Sequence, residues 1–363
     1  MIQTTSTYQI QKIKTEDLDK IINFVNQIYS EKELKFKRDD YFPNEFLEGI
    51  YCIKDIEENE KIKGYFALYQ NPNLFYQNKK TLCIGNYECI NDLENEYVIS
   101  SQIIDFCKQK AKKLNTEFLI APMNGSTWNE YRFLSFDAKM TLEESLKNAF
   151  LLEPIHQLYY NQQFLNAGFE PISTYFSLID KQMNYGNSET LRQQQRLEDE
   201  NISIRKINLE NFETELENLF PFVSSLFEQN FLYTPISLES FKEKYLPIKQ
   251  LINPDYVLIA EHKKNNKSEI VGFIFCYPNL YSSIYSQKQL ICKTIGRNQD
   301  DFYKGLGHVM TYKVAEQAKK NGFSAFIHAF MIENSLSSEL SQNFAKDNYR
   351  TYTLYGMDVG ARD

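Results

Sequence analysis

The chain has 363 residues, 42% hydrophobic and 24% charged, with a formal net charge of −8. It is long enough for two ordinary domains, and its composition excludes a disordered chain. The acidic balance argues against a general binder of nucleic acid or anionic membrane. The opening stretch MIQTTSTYQIQKIK has no apolar signal core, and no apolar run is long enough to span a bilayer. A cytoplasmic protein with neither a membrane nor a nucleic-acid partner is expected.

In chain order the elements run through one plan twice. YQIQKIKTEDLDKIINFV, from Tyr8, alternates apolar and polar residues and then takes on helical spacing; ISIRKINLENFETELENLF, from Ile202, does the same. The strand run IKGYFALYQNPN, from Ile62, is matched by IVGFIFCYPNLY, from Ile270. TLCIGNYECI, from Thr81, is matched by QLICKTIGR, from Gln289. A long helix follows each, predicted over Tyr97–Leu114 and Gly305–Asn321, and each helix feeds a short strand. Those strands are EFLIAPMNGST, from Glu117, and AFIHAFMIENS, from Ala325, closely followed by Asn124 and Asn334. The repeat is far longer than a solenoid period, so it reads as a domain duplication. Polar, Gln-rich residues 181–201 lie between the halves and read as a linker with some helical potential. The expected domains are therefore 1–180 and 202–363, each α/β with a mixed, mainly antiparallel sheet flanked by helices.

The six cysteines form no C-x-x-C pair and sit among apolar residues. Buried, reduced thiols are expected, and no metal site. The unusual local feature is FYKGLGHVM, Phe302–Met310, with Gly305 and Gly307 opening a helix in a chain of only 13 glycines. Helix N-terminal amides favour an anion, and glycine lets a phosphate approach the backbone. A tight strand-to-helix turn explains the same residues without a ligand. The loop is neither a G-x-G-x-x-G fingerprint, since Met310 follows Gly307 by three, nor a nucleotide-triphosphate loop.

After a strand and opening a helix, FYKGLG resembles the pyrophosphate loop of the GNAT superfamily of acyl-CoA-dependent N-acyltransferases, usually [Q/R]-x-x-G-x-[G/A]. Gly305 and Gly307 match, and Phe302 departs. In the first half, Pro122, Met123, Asn124, Ser126, Thr127, Gly168 and Phe169 resemble one group of GNAT-like proteins, and with the duplication the likeness covers most of the chain. It implies tandem GNAT domains, an acyl-CoA donor such as acetyl-CoA, and a small-molecule or peptide amine as acceptor. Donor contacts are implied at Ile295, Gly296, Tyr303, Lys304, Gly305, Leu306, Gly307, His308 and Asn334.

The implied acid and base are a tyrosine and a glutamate. The usual tyrosine position in the second half is Ser341, which leaves Glu333, Tyr303 and Tyr349 as candidates, beside His328, which reads better as structural. In the first half Glu88 lies on the equivalent strand, and Asn124, Tyr131 and Tyr160 are candidate substrate contacts. Aligning Ala111 with Ala318 sets Val98 opposite Gly305 and Ser100 opposite Gly307. A β-branched side chain there crowds a phosphate, so the first half reads as having a degenerate loop. Acetyl transfer by direct attack of an amine on the thioester is the leading expectation. A GNAT-fold binding protein without catalysis, or an aminoacyl transferase on the paired fold, are the alternatives.

Overall fold

The computed structural model describes residues 7–13, 18–35, 37, 42, 45–135, 140–265, 267–281, 287–332 and 348–360. The chain divides into two compact units. One comprises Met1–Thr174, Leu232–Thr234 and Tyr352–Asp363; the other comprises Tyr175–Phe231 and Pro235–Thr351.

The first unit begins with β1 (Tyr8–Lys12), α1 (Leu18–Ile28) and α2 (Glu31–Leu34). It continues through β2 (Leu47–Asp55), β3 (Lys61–Tyr69), β4 (Phe75–Tyr76), β5 (Lys79–Cys89), α3 (Val98–Lys113) and β6 (Phe118–Ala121). The short β7 (Phe133–Leu134) and α4 (Leu142–Leu146), then α5 (Tyr160–Asn166), precede β8 (Glu170–Asp180). Asn59 and Glu60, both at positive φ (52° and 57°), make the tight turn between β2 and β3. The sheet runs β1-β2-β3-β5-β6, and only β5 and β6 pair in parallel. Ile99, Ile103, Ile104, Cys107 and Ala111 recur at helical spacing along α3 and bury one face of it in the core under Phe66, Leu82 and Leu119.

The second unit follows the same plan. After β8 come α6 (Ser188–Asp199), β9 (Ile202–Lys206), α7 (Phe212–Phe227), α8 (Leu238–Tyr245), β10 (Val257–Lys264), β11 (Lys267–Pro278) and β12 (Gln289–Arg297). Then come α9 (Leu306–Lys320), β13 (Ala325–Ile332) and β14 (Asn348–Asp358). The sheet order is β8-β13-β12-β11-β10-β9, with β12 and β13 parallel and the other pairs antiparallel. On α9, Leu306, Val309, Met310, Val314 and Ala318 face the core.

The expected fold class stands: mixed, mainly antiparallel sheets flanked by helices, with the two long helices where periodicity predicts them. The boundaries differ. Each half gives away its closing strand. The end of β8 (Tyr175–Asp180) pairs with β13, whereas β14 from Tyr352 onward pairs with β6 and β7. Residues 181–201 are not a free connector. Asn187 accepts from the Thr190 N–H to cap α6, and Leu197 is buried in the second core.

Candidate active site

In the second unit, β12 and β13 pair from Gln289↔Ala325 to Cys292↔His328 and then part. Beyond that point β12 stays on β11 (Ile295↔Ile274, Gly296↔Phe273), while β13 goes on along β8 (Met331↔Phe176, Ile332↔Tyr175). The result is a wedge between two parallel strands that opens toward the loop before α9. Asp300 accepts from the Phe302 N–H at 2.8 Å to start that loop. Phe302 stacks on His262, and the Tyr303 hydroxyl hydrogen-bonds His262 Nδ1 at 2.9 Å. Gly305 is the N-cap of α9 at φ 91°, in the left-handed region, and as a glycine it brings no side chain of its own to cap the helix. A Cβ on Gly305 would meet the Gln193 side chain at 3.0 Å, so both its backbone angle and the packing of α6 call for glycine. A groove of about 720 Å³ adjoins the end of β12, lined by Arg205, Phe222, Leu226, Glu261, Glu269 and Arg297 among others.

The matching place in the first unit is filled by its own side chains. β5 and β6 pair from Thr81↔Phe118 to Cys83↔Ile120. Asn124 Oδ1 then accepts from the Asn86 N–H at 3.0 Å, and a Cβ on Gly85 would stand 2.1 Å from that oxygen. At the start of α3 the fully buried Asp92 accepts from the Ile99 and Ser100 amides at 3.0 and 2.8 Å, and from Gln163 Nε2 at 2.7 Å. One helix start carries a buried carboxylate and the other begins at a glycine.

No protein-family profile matches the chain, and no curated protein matches it by sequence. Solved structures do match. A GCN5-related glucosamine N-acetyltransferase region of a fungal multi-domain GH3 β-N-acetylglucosaminidase aligns with TM-score 0.57 and 14% identity, over 97% of this chain and 38% of that one. A tandem GNAT protein from the clavulanic acid biosynthesis pathway aligns with TM-score 0.53 and 8% identity, over 98% and 100%. A GCN5-related N-acetyltransferase from Sphaerobacter thermophilus aligns with TM-score 0.51 and 9% identity, over 98% and 97%. The chain has a tandem GNAT fold.

Within this tandem GNAT fold the residues singled out from the sequence fall into separate places. Glu88 and Tyr160 come together. Glu88, 4% exposed, accepts from Tyr160 Oη (2.7 Å), Tyr29 Oη (2.8 Å) and Lys37 Nζ (2.5 Å). Burial, with Glu88 adding to it, holds both phenols well above the usual tyrosine range. Tyr29 and Lys37 were not legible as its partners, because they lie 59 and 51 residues away in the chain. Tyr131 instead bridges Met123, and its hydroxyl accepts from Arg132 Nη1 at 3.0 Å.

In the second unit Tyr303 is 4% exposed, and its hydroxyl is engaged with His262. At Gly296 a Cβ would stand 2.4 Å from Leu226 on α7. Ile295 packs against the core of the unit and Leu306 is buried in it. Lys304 is exposed, and His308 is half-buried, its imidazole held below the ordinary value of 6.5 by burial. Gly307 lies in the first turn of α9, where its carbonyl accepts from Thr311 Oγ1 at 2.9 Å. Tyr349 lies half-buried on β14. Glu333, Asn334 and Ser341 lie outside the described residues. Among the described residues no group of side chains could hold a metal ion, and no helix is long and apolar enough to cross a membrane.

Proposed function

We propose that the protein is an acyl-CoA-dependent N-acyltransferase that takes acetyl-CoA as donor and a primary amine, small molecule or peptide, as acceptor. The contrast between the two helix starts carries this reading. A donor pyrophosphate needs backbone amides that no carboxylate already holds. α9 begins at a glycine beside an opening strand wedge, whereas Asp92 fills the equivalent place at α3. In this reading the amides of the first turn of α9, from Gly305 to Gly307, hold the pyrophosphate, since those of Tyr303 and Lys304 already donate to the Asp300 and Asp301 carbonyls, and the β12–β13 wedge holds the arm behind it. The donor supplies a thioester, whose acyl group is open to attack by an amine.

The chain's own part is to bind and orient. The groove beside β12 is the proposed entry for the acceptor; its wall carries Glu261, paired with Arg205, together with Glu269 and Arg297. Direct attack, without an acyl-cysteine on Cys276, is part of this reading, because burial pushes that thiol well above its usual range and leaves little thiolate. Fold likeness alone does not settle an activity. Two of the structural neighbours, a glucosamine N-acetyltransferase region and a tandem GNAT protein solved without AcCoA, support the donor class.

Calorimetric titration of CoA tests the reading. Gly307→Glu adds a carboxylate at the proposed phosphate position and is expected to weaken CoA binding by about 100-fold. The helix is expected to persist, since glutamate is the better helix former and suits a first turn. Val98→Glu, at an exposed position in the first turn of α3, is expected to leave CoA affinity unchanged. Loss of binding in Val98→Glu alone would move the donor to the first half.

A further inference from the structure

We infer that Arg196, in the stretch that reads as a linker, is a positioning residue of the donor site; this rests on the reading that the loop before α9 holds an acyl-CoA pyrophosphate. Arg196 Nη1 donates to the Phe302 carbonyl at 3.0 Å and Nη2 donates to the Lys304 carbonyl at 2.7 Å. Its Nε donates to Gln193 Oε1 at 2.9 Å, one turn back on α6. Two carbonyls of the loop thus end on one cation, immediately before Gly305 turns the chain into α9.

The arrangement has a clear electrostatic consequence. Free carbonyl oxygens at the mouth of a helix would face an arriving anion with their negative ends. Bound to a guanidinium, they are neutralised and held in place while the amides after them lead. A planar fork spans both oxygens at once, which a lysine ammonium does not. Arg297 binds the earlier carbonyls of the loop, those of Asn298 and Asp300, and the carbonyls next to Gly305 fall to Arg196, while Phe302 and Tyr303 pack on His262 and Lys304 is exposed. The guanidinium arrives on a fixed helix, with Asn187 capping its start and Leu197, beside Arg196, buried in the core. Three of the five N–H groups of Arg196 are engaged in these bonds, which leaves two further donors beside the loop.

The test is calorimetric titration of CoA into the full chain at low and at high salt, with the thermal midpoint of every variant measured alongside. Arg196→Ala is expected to weaken CoA binding about tenfold and to lose more at low salt than at high, because a charge has gone from beside an anion. Arg196→Lys, which keeps the charge and loses the fork, is expected to weaken it about threefold. A merely structural role would lower the thermal midpoint and leave the salt dependence of affinity as it was. CoA affinity equal to or tighter than that of the unaltered chain in Arg196→Ala overturns the inference, as does a loss identical at both salts. Should Arg196→Ala fail to fold, unchanged affinity in Arg196→Lys overturns it. An unaltered chain that binds no CoA removes the donor reading itself, and this inference with it.

Discussion

His328 shows what burial does to a single titratable side chain. It stands on β13 at 4% exposure, with Tyr185 Oη 3.0 Å from its Nε2. Burial pulls its pKa down from 6.5 to about 4, against a smaller opposing pull from Asp180. The unfolded chain therefore binds a proton between pH 6.5 and 4 that the folded chain refuses. Stability from this group is complete above about pH 6.5 and is lost as pH falls toward 4, by about 3 kcal/mol in all. Urea unfolding across that window should show this slope in the unaltered protein. His328→Gln, which keeps an acceptor for Tyr185, should lack it; an unchanged slope would assign the acid sensitivity elsewhere. Asp92 is buried too, and its polar atoms are satisfied by hydrogen bonds. A carboxylate is tolerated fully buried because two helix amides and Gln163 donate to it.

At the scale of elements, α6 departs furthest from its sequence reading. Its residues are polar enough to pass for a connector, yet a capped start and one buried leucine make it part of the second unit. Leu197 is 1% exposed, so Leu197→Ala is expected to cost about 2–4 kcal/mol, measured by denaturant unfolding. A change within about 0.5 kcal/mol, normal for a surface position, would mean that the helix is only loosely held. The PMNGSTW stretch is likewise an anchor. Trp128 Nε1 donates to the Thr234 carbonyl at 2.9 Å, and Asn71 Nδ2 donates to Gly125 O and Thr234 Oγ1. The short segment Leu232–Thr234 is thereby built into the first unit, although the residues before and after it in the chain belong to the second.

For the whole molecule, the exchange of closing strands makes each unit depend on a distant part of the chain. Tyr355 on β14 is 4% exposed within the first core, and its hydroxyl donates to Asn161 Oδ1 at 2.8 Å. Tyr355→Ala is expected to remove about 3 kcal/mol from the first unit. Amide hydrogen exchange should then rise across β2, β3, β5 and α3 while α7, α9 and β10 keep their protection. An equal rise everywhere would show one cooperative block rather than two units.

Local pattern by itself determined the two long helices, the repeated strand order, the strand-to-helix glycine turn and the apolar setting of the cysteines. These follow from periodicity and backbone preference, which act over a few residues. Tertiary structure alone decided the strand exchange, the membership of α6, and the partners of Glu88, Tyr303 and Gly296. Each of these depends on what a distant segment places alongside, and spacing along the chain carries no record of that. The glycines mark the limit. The sequence showed that backbone freedom was needed at Gly305, and only the fold showed that Gln193 and a left-handed angle require it, with Arg196 bound to the carbonyls just before. The same holds for the first half. Val98 turned out to be exposed, and what fills the helix start there is Asp92, six residues earlier, folded back because unpaired buried amides need an acceptor.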